Sequence, residues 1–236
     1  MRIRMPVPLR GWRQFAGEVG VIVLGVLIAL FVQQMADEWQ WRLKTEQARK
    51  DISQELAVNY GQAYERVQTQ ACMISQLNHL ETVVLQSTTT LKPVPEFRDS
   101  DGYSAVYRAP NRNWLDTAWR SHVADGAASR LGRDNYIELA SYYAGIPILQ
   151  ELNDASTEAV GSLSVLTNAI EVDAGVKADL LQTIARERAR TRTMALRSRQ
   201  LMEAIASLGY APDQKEISNW MRGESRTIKW CETNRD

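Results

Sequence analysis

"GEVGVIVLGVLIALFV", Gly17 to Val32, is the most apolar stretch of a 236-residue chain, and a glutamate stands second in it. Taken out to Phe15 and Met35, the stretch still carries Glu18 as its only charge. As a helix with about 1.5 Å rise per residue it spans about 31 Å, the thickness of a bilayer's hydrocarbon core. The reading is a transmembrane helix over residues 15–35. A cleaved signal peptide is the rival, but the run is long for such a peptide's apolar region. Gln34 ahead of Ala36 also spoils the small-x-small pattern that a signal peptidase needs. Trp12 before the run, and Trp39 and Trp41 after it, stand where amphipathic rings settle at headgroup level.

Glu18 is explained by the helix face it heads. At about 100° per residue, Glu18, Gly25, Ala29 and Ala36 fall within about 20° of a common direction. Gly25 and Ala29 form a small-xxx-small pair, the spacing that lets two membrane helices approach closely. These four residues are the expected interface toward another membrane protein or a second copy of the chain, with lipid around the rest. The competing reading leaves Glu18 as an ordinary occupant of the headgroup layer. Basic residues do not settle orientation by number, since Arg2, Arg4, Arg10 and Arg13 are matched by Arg42, Lys44, Arg49 and Lys50. The N-terminal tail holds no acid, however, whereas the other flank opens with Asp37 and Glu38. The expectation is a short cytoplasmic tail over residues 1–14 and an extracytoplasmic domain over residues 36–236.

The run "GEVGVIVLGVLIAL" with "DEWQW" after it resembles the opening of an uncharacterised family of bacterial single-pass membrane proteins. "NWLDTAWRSHVADGAASRL" followed by "ELASYY" resembles that family's middle section more loosely. The resemblance implies a membrane-anchored helical domain and supplies no activity. With the orientation expected from the flanking charges, a bacterial chain of this kind is expected in the inner membrane with its bulk in the periplasm.

Beyond the anchor the sequence is helical in period. From Asp37 to about Gln86 there is no proline and only one glycine, Gly61, so one long helix continues out of the membrane. Its apolar row, Leu56, Tyr60, Ala63, Val67, Gln70, Ile74 and Leu77, has the steps of four and three that mark a bundle or coiled-coil seam. A second seam follows Leu180, Ile184, Glu187, Thr191, Met194, Ser198, Leu201, Ile205 and Leu208 on a helix from about Ala174 to Leu208; its three polar positions are expected to weaken it. Residues 135–170 are helical too, with a kink at Pro147 that should leave the Tyr143 carbonyl free. Asn113 is a candidate cap for a short helix ended by Gly126, and another helix is expected to begin near Pro212. Residues 87–112 show neither period and read as an irregular loop. The fold class is all-α: a transmembrane helix leading into a bundle of three long helices with shorter ones packed on it.

Composition excludes more than it assigns. Lysine plus arginine and aspartate plus glutamate are 28 each, so no global field draws the chain to nucleic acid, and no nucleic-acid partner is expected. The two cysteines, Cys72 and Cys231, are too few for a thiolate metal site. In an oxidising compartment they have one intramolecular pairing, and a disulfide between them is expected. Cys72 lies near the seam of the first helix, and docking the polar tail there would bury Trp230 beside it.

The two histidines, His79 and His122, lack the spacing of zinc or di-iron ligands. Ser121 and His122 are adjacent on one helix and point about 100° apart, so no triad is expected with Asp125. No catalytic, cofactor-binding or metal residues are assigned, and no enzymatic activity is expected. Arg186, Arg188, Arg190, Arg192, Arg197 and Arg199 read as a solvated face paired with Glu151, Asp154 and Glu158, or else as a face for an anionic partner. Trp114, Trp119, Tyr142 and Tyr143 read as core, or else as the lining of a ligand pocket beside Pro147. Two functions stay open: a non-enzymatic interaction or accessory subunit of a membrane complex, and a ligand-binding sensor signalling through a partner helix.

Overall fold

The computed structural model describes residues 12–98, 104–210, 212, 215, 217 and 226–233. In chain order the elements are α1 (Trp12–Gln86), β1 (Thr90–Leu91), β2 (Phe97–Arg98), β3 (Ser104–Ala105), α2 (Thr117–Ala124), α3 (Arg133–Ala144), α4 (Ile146–Leu163), β4 (Ile170–Glu171), α5 (Ala174–Ser207) and α6 (Arg226–Thr233). Short 3-10 turns at Ala128–Arg130 and Ser164–Thr167 join them. The protein is all-α; its strands are two residues each. The chain divides into two compact units, Met1–Gln47 and Ala48–Asp236.

α1, which begins in the first unit, is the one helix, among the described residues, long and apolar enough to cross a membrane. Its apolar side chains from Val21 to Met35, among them Ile22, Leu24, Phe31 and Val32, are exposed.

In the second unit α5 follows its sequence seam closely. Asp173 caps it by accepting the Val176 N–H at 2.8 Å. Gly209, at φ +75°, closes it, with N–H bonds from Gly209 to Ala206 and from Tyr210 to Ile205. Every seam residue from Leu180 to Ile205 is buried, Leu208 partly. Glu187 and Thr191 are buried with hydrogen-bond partners, and Ser198 is buried without one among the described residues, so all three polar positions stay inside the seam.

α1 differs from its sequence reading. The row through Leu56, Ala63 and Leu77 is partly buried at Tyr60, Val67, Gln70 and Ile74. The fully buried row lies beside it and is largely polar: Glu55, Asn59, Gln62, Arg66, Thr69 and Gln76, interleaved with Met73 and Leu80. It follows the same steps of three and four. Apolar pattern alone cannot find such a row, because its burial depends on partners elsewhere in the chain.

For Asn59 and Gln76 those partners are main-chain groups of an extended segment, residues 106–116, and for Glu55 they are main-chain groups of the first turn of α2. Gln76 Oε1 accepts the Arg108 N–H at 2.9 Å. Asn59 accepts the Leu115 N–H at 2.9 Å and donates to the Leu115 carbonyl at 2.8 Å. Glu55 accepts the Ala118 and Trp119 N–H groups at 2.8 and 3.2 Å, so a carboxylate from α1 occupies the N-terminus of α2. Asn113 is therefore not the cap; α2 starts at Thr117. From the other side, α4 supplies Gln150 to the Trp114 N–H at 3.1 Å.

Two further expectations change. Pro147 marks a break between α3 and α4 at Gly145, and both the Tyr142 and Tyr143 carbonyls accept N–H groups there. Proline suits the first turn of a new helix, where no N–H is needed. The 87–112 stretch is stitched by long-range bonds: Leu91 pairs with Ile170, Phe97 with Ala105, and the Val94 N–H reaches the Leu166 carbonyl at 2.8 Å. Strands this short leave no period in a sequence. The helix expected near Pro212 lies mostly outside the described residues.

Two apolar cores result. One gathers Trp114, Trp119, Tyr142 and Tyr143 with Leu139, Leu149 and Ile205; the other gathers Met73, Leu80, Val106, Leu163, Leu166 and Ile184.

Candidate functional site

In the first unit, Glu18, Gly25, Ala29 and Ala36 are all exposed on α1. A Cβ built on Gly25 meets no atom within 4 Å, so packing among the described residues does not explain the glycine.

In the second unit the most unusual feature is a buried polar layer. Arg66, only 4 % exposed, donates through Nη2 to Asn153 Oδ1 on α4. Asn153 Nδ2 donates to Asn111 Oδ1 at 3.1 Å. On α5, Glu187 is 0 % exposed; Oε1 accepts from the Tyr107 hydroxyl at 2.9 Å and Oε2 from Arg190 Nη1 at 3.4 Å. Arg112 Nε lies 3.2 Å from Glu65 Oε2. Burial lowers the Arg66 pKa to about 10, against the opposing pulls of Glu65, Tyr107 and Glu187. Burial raises that of Glu187, while hydrogen bonds from Ser156, Tyr107 and Arg190 pull it down. Burial, and then the Glu187 charge, hold Tyr107 well above the usual phenol range. The partners come from α1, the extended segment, α4 and α5. Sliding one element against the others would strand a buried charge, at a cost of about 3 kcal/mol or more.

The six arginines of α5 do not share one role. Arg188 Nη2 is 2.5 Å from Glu81 Oε2 on α1. Arg190 also donates to the Ala155 carbonyl at 3.0 Å, and Arg199 to Gln70 Oε1 at 2.8 Å. Arg186, Arg192 and Arg197 are exposed. The acids expected to pair with them, Glu151, Asp154 and Glu158, point outward on α4, and α1 supplies the acid that Arg188 meets.

The four aromatics are core. Trp119 stacks on Tyr143 with centroids 5.2 Å apart, and Tyr142 meets Tyr143 edge-on at 4.8 Å. Burial, and for Tyr143 next the Glu55 charge, push both phenols up. Beside the break at Pro147 a cleft of about 310 Å³ opens between the α3–α4 corner and α5. Tyr142, Leu149 and Leu201 line it, with Glu138 and Arg197 also in its walls.

Cys72 and Cys231 are brought together in a disulfide, joining α6 to the C-terminal part of α1 with Trp230 buried. His122 bridges two aspartates: Nε2 lies 3.0 Å from Asp51 Oδ2 and Nδ1 3.5 Å from Asp125 Oδ2. His79 is exposed. Among the described residues no three His, Cys, Asp or Glu side chains are grouped to hold a metal ion.

Sequence reasoning missed Glu55, Asn59, Arg66 and Asn153. The only signal was the row of polar residues at seam spacing. No protein-family model, curated protein or solved structure matches this chain.

Proposed function

We propose that this protein is a membrane-anchored, non-enzymatic interaction or accessory subunit of a bacterial inner-membrane complex, with its N-terminus cytoplasmic and its helical domain periplasmic. The observation that carries the reading is the exposed apolar helix over residues 15–35, with its Gly25/Ala29 face, leading into a domain whose polar interior holds its own main chain in place. The Cys72–Cys231 bond supports the periplasmic side, because disulfides persist in oxidising compartments. Phosphatase and fluorescent-protein fusions at the C-terminus test it: phosphatase activity without fluorescence is expected, and the reverse overturns the orientation. Co-purification from gently solubilised membranes should recover a stoichiometric protein partner.

A second reading, a ligand-binding sensor signalling through a partner helix, is favoured by the cleft beside Pro147. That cleft carries opposite charges, Glu138 and Arg197, on a floor of apolar side chains. Native mass spectrometry of the isolated protein should then show a small molecule that Arg197→Ala releases.

A further inference from the structure

We propose that the partner helix is a second copy of this chain, and that the two copies pair in parallel along one seam of α1 from Phe15 to Leu43. The proposal rests on the membrane-anchored reading above and names its partner. From Phe15 the residues recur at alternating steps of three and four, without a break, through Gly25, Ala29, Ala36 and Trp39 to Leu43. Every position of the seam is exposed. Lipid tails can cover it as far as Met35. Trp39 is 65 % exposed and Leu43 54 % exposed, and at helical rise Leu43 stands about 12 Å beyond Met35, outside the hydrocarbon. Leu43, beyond the headgroup level at which Trp39 stands, carries the register of the small-residue face out of the bilayer, and a protein surface spanning both environments would cover it.

Two copies anchored in one membrane with the same orientation meet in parallel, and equal residues then face one another layer by layer. The flanks of the seam permit this pairing. Gln33, Gln40 and Gln47 stand on one flank, and Met35 and Arg42 on the other. Parallel pairing sets Met35 against Gln40 and Arg42 against Gln47 of the second copy, so no like charges oppose. Asp37, Glu38 and Lys44 fall outside these positions. The one like-charge layer is Glu18 on Glu18, and it separates self-pairing from pairing with a foreign basic helix.

The test uses the full chain in its own membranes, coexpressed with two different tags. Ala36→Cys, Trp39→Cys and Leu43→Cys place thiols on the seam, and Glu38→Cys and Thr45→Cys place them off it. Mild oxidation should link chains carrying both tags several-fold more at the seam positions than at the other two. Equal linking at all five positions, no linking while the chain stays with the membrane, or a linked species containing a different protein each overturns self-pairing and leaves the anchored reading standing. Release of the chain into the soluble fraction overturns both. Glu18→Gln should raise the linked fraction of Leu43→Cys by removing the like-charge layer; a fall points to a foreign basic helix and overturns the proposal.

Discussion

Asn59 gives both halves of its amide to the main chain of one residue, the N–H and carbonyl of Leu115, as a neighbouring strand would. Asn59→Ala strands two main-chain groups, at about 1–3 kcal/mol each. The urea midpoint of the solubilised protein, followed by tryptophan fluorescence, should fall accordingly; Asn59→Asp keeps an acceptor for the N–H but loses the donor to the carbonyl. Glu187 makes a different prediction. Its pKa is raised in the folded protein by burial, from an ordinary value of 4.5. Between the unfolded and folded pKa the native state holds the extra proton, so this group's contribution to stability is present below that window and falls as pH rises through it. Glu187→Gln removes that loss while keeping an acceptor for Tyr107. Thermal melts of the variant relative to wild type should therefore improve as pH rises from the ordinary carboxylate value of 4.5 through the raised one. A difference that stays flat with pH shows that Glu187 does not titrate in this range.

At the scale of elements, α6 depends on α1. Its eight residues are too few to hold a helix alone in water. The Cys72–Cys231 bond closes a separation of 159 residues, worth up to about 5 kcal/mol in the chain-entropy treatment. Cys72→Ser should free α6, and trypsin should then cut at Lys229 faster than in the wild type, as read by peptide mass spectrometry. Unchanged cleavage shows that Ile228 and Trp230 hold α6 by packing alone. The helix limits of α5, about Ala174 to Leu208 by period, agree with the structure, where Asp173 and Gly209 close the ends as caps acting on their immediate neighbours. The start of α2 was not legible in the sequence, since Glu55, more than sixty residues away, supplies its cap.

For the molecule as a whole, the exposed α1 face separates association from folding. A Cβ added at Gly25 meets nothing within 4 Å among the described residues, so Gly25→Leu should fold and insert as the wild type does. Its recovery of the partner helix should drop, because a leucine holds the two backbones apart. Circular dichroism and membrane fractionation check the first half, and pull-down from solubilised membranes checks the second. Unchanged recovery leaves Glu18 as a headgroup-level residue and removes the Gly25/Ala29 face from the assembly.

The all-α class, the membrane-length apolar run and the seam of α5 were determined by the sequence itself, since each is a period or a composition carried by residues close together in the chain. Tertiary structure alone decided that the polar row of α1 turns inward beside the apolar one, where Leu56, Ala63 and Leu77 are buried. In isolation Glu55, Asn59, Arg66 and Gln76 look like a solvated face, and burying any of them without a partner costs several times what an apolar neighbour would gain. The main chain of residues 108–119 and the side chain of Asn153 supply those partners, and only folding brings them within reach.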